Sequence, residues 1–234
     1  MENSPNLKDI VAIPVLFVVV VWTVFGVEVL LDADFGDYGL YPRSLGGLKG
    51  IFTTPFLHSG WEHLVNNSLP MLFLGMGIYY FYRDVAGRIY LFSILITGLW
   101  VWAFARPSYH IGASGVVYSF AAFVFVSGLI KRNFRLMALS LLVVFQYGGM
   151  IWGVLPIYEN VSWESHLLGG ITGMMLAIYY RKEGWQADKY DWEEEEDEEE
   201  PDFDDWKLPQ DRQPPQQPTI TYRYYIKKKE EEDE

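Results

Sequence analysis

The chain contains no cysteine, and its first 182 residues carry little charge. Without a thiol there is no disulfide scaffold, no thiolate nucleophile and no cysteine-ligated zinc or iron–sulfur centre. A basic footprint is missing too: the formal net charge is −12, which argues against nucleic acid as a partner. Residues 1–182 hold 11 Lys+Arg against 10 Asp+Glu, whereas residues 183–234 hold 7 against 20. The acidity therefore belongs almost wholly to the C-terminal piece, and the mean hydropathy of +0.06 averages two unlike segments.

Charge is scarce in the body because apolar runs fill it. Residues 10–31 form a run whose only charge is Glu28. At about 1.5 Å per helical residue it is long enough to cross a hydrocarbon core of about 30 Å. One Lys before it and no small-residue cleavage site after it do not make a signal peptide. Further runs follow at 63–82, 89–105, 114–130, 136–155 and 165–180. The pattern predicts an all-α membrane protein of six transmembrane helices. With the N-terminus placed inside, eight loop Lys and Arg residues fall on the cytoplasmic side (Lys8, Arg83, Arg88, Lys131, Arg132, Arg135, Arg181 and Lys182). Three, Arg43, Lys49 and Arg106, fall on the other, so both termini are expected to be cytoplasmic. Trp22, Tyr79, Tyr80, Trp100, Trp102, Trp152, Tyr179 and Tyr180 lie near span ends, as interfacial anchors do.

Residues 1–182 are thus expected to form the membrane domain and residues 183–234 an acidic, disordered cytoplasmic tail. The tail has an unbroken acidic run at 193–200, a Pro/Gln-rich stretch at 210–218 and an aromatic, β-prone segment at 219–226. The last is the candidate docking element, for a partner the sequence does not identify.

The informative residues are polar groups where hydrocarbon should be, because each costs a few kcal/mol to place there. His58, His63, Asn66 and Asn67 cluster at the start of span two. Gly112-Ala113-Ser114-Gly115 opens span four. Ser165-His166 opens span six, with Gly169, Gly170 and Gly173 behind. Spans two, four and six all begin on the outer side, so topology alone puts the three clusters at one depth. A serine, a histidine and amide or imidazole donors are what acyl transfer requires. Taken singly, each group also reads as helix packing or as a satisfied span end. No carboxylate is evident in the spans, so the site reads as a Ser–His dyad, with Glu62 and Glu164 as weak orienting candidates from loop positions.

The sequence resembles the rhomboid intramembrane serine proteases. The resemblance rests on His63-Leu-Val-Asn66-Asn67 (H-x-x-x-N), Gly112-Ala-Ser114-Gly115 (G-x-S-G) and His166-Leu-Leu-Gly169-Gly-Ile-Thr-Gly173 (H-x-x-G-x-x-x-G), in that order on spans two, four and six. It covers about residues 50–182. In the first outer loop Tyr41-Pro42-Arg43 stands where relatives have a Trp-Arg pair. The resemblance implies a six-helix rhomboid-like bundle that cleaves transmembrane segments of other proteins without metal or cofactor. It implies Ser114 as nucleophile and His166 as general base, with the Ser114 N–H, His63 and Asn67 stabilising the oxyanion. Gly169 and Gly173 are expected to let span six approach span four, and Tyr118, one turn after Ser114, to pack on the imidazole. Span five and the loop at 156–164 resemble the family's gate and cap, with Trp152 a gate candidate and His58 part of a wettable rim. A bacterial inner membrane is the expected location, with the active site near the outer face. Two other readings are a catalytically inactive relative that binds membrane proteins and a proton-coupled transporter using His63 and His166.

Overall fold

The structure is a computed structural model that describes residues 7–146, 152–157 and 161–184. These lie within one compact unit, Met1–Asp188; of the expected tail, 183–234, residues 185–234 lie outside the described residues. Among the described residues the chain is helical, with no strand beyond a single antiparallel bridge between Leu40 and His110. The helices are α1 (Leu7–Leu30), the single turn α2 (Gly50–Thr53), α3 (Trp61–Phe81), α4 (Ala86–Phe104), α5 (Ser114–Ile130), α6 (Phe134–Gln146) and α7 (Trp163–Tyr179).

Length and composition separate these helices. By both measures α1 and α4, of 24 and 19 residues, are able to cross a membrane, and α5 and α6 are apolar but shorter. In α3 the apolar character is diluted at its start by Glu62, His63, Asn66, Asn67 and Ser68. Of the run expected at 136–155, the described residues form the helix Phe134–Gln146 and a 3₁₀ turn at Trp152–Val154; residues 147–151 lie outside the described residues.

Helix α5 is the centre. Its buried residues, Val116, Val117, Phe120, Phe123 and Val124 among them, cover all of the helix but the face that carries Ser114, Tyr118, Ala122, Phe125 and Leu129. Its most extensive partner is α7. A Cβ added at Gly169 would lie 2.0 Å from the Gly115 carbonyl oxygen, and one at Gly173 would lie 2.0 Å from that of Ser119. The two backbones therefore touch along a seam that only glycine permits. In lipid, apolar surface gains little by leaving its surroundings, so such contacts and buried hydrogen bonds carry the association. Ser119 Oγ donates to Ser93 Oγ at 2.9 Å between α5 and α4, and Ser140 Oγ to the Ala121 carbonyl at 2.9 Å between α6 and α5. Each such bond contributes about 1 kcal/mol. Of the expected interfacial aromatics, Trp22 is exposed and ties α1 to α3 by donating its indole N–H to Ser68 Oγ at 2.9 Å, whereas Tyr180 is buried.

The long first loop is fixed to the end of α4. Arg43, in the left-handed region at φ 57°, donates from Nη1 to the Ala105 carbonyl at 2.7 Å and from its backbone N–H to the Trp102 carbonyl at 2.9 Å. Trp102 Nε1 in turn donates to the Ser44 carbonyl at 2.9 Å. A guanidinium on the last carbonyls of a helix satisfies orphan acceptors and complements the helix dipole. Tyr41-Pro42-Arg43 thus anchors the loop without a tryptophan beside the arginine.

Candidate active site

Helices α3, α5 and α7 all begin at one end of the bundle, with His63, Ser114 and His166 on their first turns and Asn67 on the second turn of α3. Ser114 opens α5 half-buried, and His166 lies one turn into α7, 9% exposed. The structure brings them together: His166 Nε2 is 2.8 Å from Ser114 Oγ. His166 Nδ1 is 2.8 Å from the Gly153 carbonyl oxygen. A carbonyl only accepts, so Nδ1 carries the proton and the Nε2 lone pair faces the serine hydroxyl. The orienting partner is therefore a backbone carbonyl from the turn after α6. Glu164 and Glu62 are both in the first turns of helices, α7 and α3, rather than in loops, because an acid there faces the positive end of the helix dipole. Glu164 is buried and pairs through Oε1 with Arg106 Nε at 3.4 Å.

Tyr118 covers the imidazole. The two rings stack with centroids 4.2 Å apart and planes 9° from parallel. Gly153 is needed beneath them, since a Cβ there would lie 2.2 Å from Tyr118 Oη and 3.0 Å from His166 Nδ1. Trp152, beside it, is exposed. Residues 158–160 of the expected cap lie outside the described residues.

His63 and Asn67 approach Ser114 from α3. Gly112, at φ +108°, is in a conformation that favours glycine, and a Cβ there would lie 2.6 Å from His63 Nε2 and 3.7 Å from Asn67 Nδ2. Gly112 therefore lets both side chains sit against the backbone entering α5. His63 Nδ1 receives the Ser59 N–H at 3.5 Å and faces Ser59 Oγ at 3.1 Å. Because an N–H can only donate, Nδ1 is the acceptor and Nε2 carries the proton toward Gly112. Asn67 Nδ2 donates one hydrogen to the His63 carbonyl at 2.9 Å. The first N–H groups of α5 have no intrahelical acceptor and add to this donor-rich wall. A groove of about 450 Å³ opens alongside, lined by Ser59, Gly60, Trp61, Glu62, His63 and Asn66. His58 is buried, its ring centroid 5.0 Å from that of His63.

Sequence reasoning passed over His110, four residues before Ser114. It is 2% exposed and bonded to Ser162 at the start of α7. The available signal was the histidine inventory: the chain has four, and all four lie at this end of the bundle. No group of acids and histidines suited to a metal ion occurs among the described residues.

The Rhomboid domain family matches residues 46–183, the stretch that holds all of these side chains. Over 175 residues the chain is 32% identical to uncharacterized proteins of Mycobacterium bovis and Mycobacterium tuberculosis, covering 69% of this chain and 71% of theirs. Over 132 residues it is 27% identical to Rhomboid-related protein 2 of Mus musculus, covering 51% of this chain and 44% of that protein. With a match across more than half its length and its three motifs at the starts of three helices, this helical integral membrane protein belongs to the rhomboid family.

Proposed function

We propose that the chain is an intramembrane serine endopeptidase that cleaves transmembrane segments of other membrane proteins through a Ser114–His166 dyad. The observation that carries this reading is the pair of bonds made by one imidazole: Nδ1–H on the Gly153 carbonyl and Nε2 at 2.8 Å from Ser114 Oγ. This is the tautomer and reach a general base needs.

Ser114 Oγ attacks the scissile carbonyl carbon while its proton passes to His166 Nε2. The oxygen of the tetrahedral intermediate is met by the Ser114 N–H, the His63 Nε2–H and the second hydrogen of Asn67 Nδ2. His166 then gives its proton to the leaving nitrogen as the C–N bond breaks. Water, deprotonated by the same imidazole, attacks the acyl-enzyme and releases Ser114. The groove beside His63 supplies a polar route for water and substrate. A helical substrate must unwind to present a carbonyl, so segments containing Gly, Pro or small residues are favoured.

In this reading α1, α3, α4, α5, α6 and α7 all cross the bilayer, both termini are cytoplasmic and the dyad lies near the outer face of a bacterial inner membrane. The eight basic residues at the helix ends away from Ser114 support that orientation. Residues 183–234 form a cytoplasmic tail that the chemistry does not need.

The test is labelling of purified protein with a fluorophosphonate, alongside cleavage of a model transmembrane substrate. Labelling and cleavage are expected for the native chain and for a chain truncated after residue 184, with neither in Ser114→Ala. A native chain that binds the substrate and never cleaves it would make this the inactive membrane-protein binder.

A further inference from the structure

Beside the dyad lies a second serine–histidine arrangement that the proposed chemistry does not use. His110 is in the short segment between α4 and α5. Its Nε2 is 3.2 Å from the Arg106 carbonyl, its Nδ1 is bonded to Ser162 Oγ, and Ser162 Oγ is 2.6 Å from Ser165 Oγ. The carbonyl again fixes the direction. Nε2–H donates to Arg106, so Nδ1 accepts the Ser162 hydroxyl, and Ser162 accepts the Ser165 hydroxyl. Burial holds the His110 pKa below the ordinary histidine value, which keeps Nδ1 an acceptor; its charged neighbours are Arg106 and Glu164.

Both ends of this chain of bonds lead to the dyad. On one side, the His110 backbone pairs with Leu40 in both directions at 2.9 and 3.0 Å, Thr54 Oγ1 donates to its carbonyl at 2.9 Å, and Gly112 N–H donates to the Thr54 carbonyl at 2.9 Å. The segment entering Ser114 is thereby clamped to the first loop. On the other side, Ser165 immediately precedes His166. The ion pair of Arg106 with Glu164, and the 2.8 Å bond from Arg106 Nη2 to the Val161 carbonyl, bind the same two segments. The glycine seam between α5 and α7 sets how near the helices lie, but a smooth backbone contact does little to set their register along the axis. A directional clasp at the site end does.

We infer that the His110–Ser162–Ser165 chain is a positioning clasp that sets the height of His166 on α7 against Ser114 on α5. The inference rests on the protease reading for its kinetic consequence and stands apart from it for its structural one. A displacement near 1 Å at reacting groups lowers the rate about 100-fold. Ser162→Ala is expected to lower kcat about 10- to 100-fold with KM within about twofold, and Ser162→Thr, which restores the hydroxyl, to recover most of it. His110→Phe should reproduce the Ser162→Ala loss; if it does not fold, the Ser162 pair alone decides.

The separate readout is ¹⁵N NMR of histidine-labelled protein. His110 should show a protonated Nε2 and an unprotonated Nδ1, and the His166 ring nitrogens should shift in Ser162→Ala although the ring's own partners, Gly153 and Ser114, have not changed. Wild-type kcat together with unmoved His166 resonances in folded Ser162→Ala would overturn the clasp. If the native chain cleaves nothing, the protease reading fails, and the His166 resonances alone decide the clasp.

Discussion

Tyr118 and His166 stack nearly face to face, with centroids 4.2 Å apart and planes 9° from parallel. One ring belongs to α5, one turn after Ser114, and the other to α7, so the stack crosses the seam between the helices that carry the dyad. An aromatic contact of this kind contributes about 0.5–1.5 kcal/mol beyond its buried area. Its larger effect is to remove rotational freedom from an imidazole whose Nε2 must keep facing Ser114. Tyr118→Phe keeps the ring and is expected to hold kcat within severalfold of native. Tyr118→Ala should lower it about 100-fold with the fluorophosphonate reaction slowed in parallel. Equal rates for the two variants would show that the stack does not orient the base.

Gly169 has no room for a side chain. A Cβ would lie 2.0 Å from the Gly115 carbonyl oxygen, so even alanine forces α5 and α7 apart by about 1 Å. Gly169→Ala is expected to destabilise the fold by about 1–3 kcal/mol, as overpacking does, and to lower activity about 100-fold by lengthening the His166–Ser114 bond. Gly170, which has nothing within 4 Å of its own added Cβ, is the control on the same helix. Gly170→Ala should leave both thermal stability and cleavage close to native. Purified protein in detergent, melted and assayed side by side, distinguishes the two positions.

These helix-borne relationships were legible in the sequence because each is a spacing on one helix. Ser114 and Tyr118 are four apart, and His166, Gly169 and Gly173 fall on one face at three and seven. The resemblance supplied which helix meets which. The Gly153 carbonyl that holds His166 Nδ1 was not legible, because every residue has a carbonyl and none is marked in the sequence as the one that will be used. His110 meets Ser162 across 52 residues of chain, and Arg43 meets Ala105 across 62, so neither pairing leaves a local pattern.

Two donors on α3 face the same point, which makes their removal informative in combination. His63 offers Nε2–H because Ser59 occupies Nδ1, and Asn67 keeps one hydrogen after donating the other to the His63 carbonyl. Loss of one oxyanion donor typically lowers kcat about 10²–10³-fold. His63→Ala and Asn67→Ala are each expected in that range with KM little changed, since the charge they meet exists only in the transition state. Because the side chains are bonded through the His63 backbone and in the proposed mechanism serve one oxygen, the double variant should lose less than the product of the single losses. Full multiplicativity would assign them to separate steps.

His58 supplies a prediction about acid stability. It lies in the segment before α3, and burial, with the neighbouring His63 ring adding to it and the Phe56 backbone opposing, pushes its pKa down from 6.5 to about 4. The folded chain therefore excludes a proton that the unfolded chain binds. Stability is complete above about pH 6.5 and falls as the pH drops toward about 4, where the folded chain also takes the proton and the loss levels off. At its steepest, one such group contributes about 1.4 kcal/mol per pH unit. His110, whose pKa burial also lowers, adds to the same trend. Melting temperatures in detergent should therefore decline from pH 7 to pH 4.5, and His58→Gln, which cannot titrate, should decline less steeply while the His110 contribution persists. Parallel slopes for native and His58→Gln would locate the acid sensitivity elsewhere.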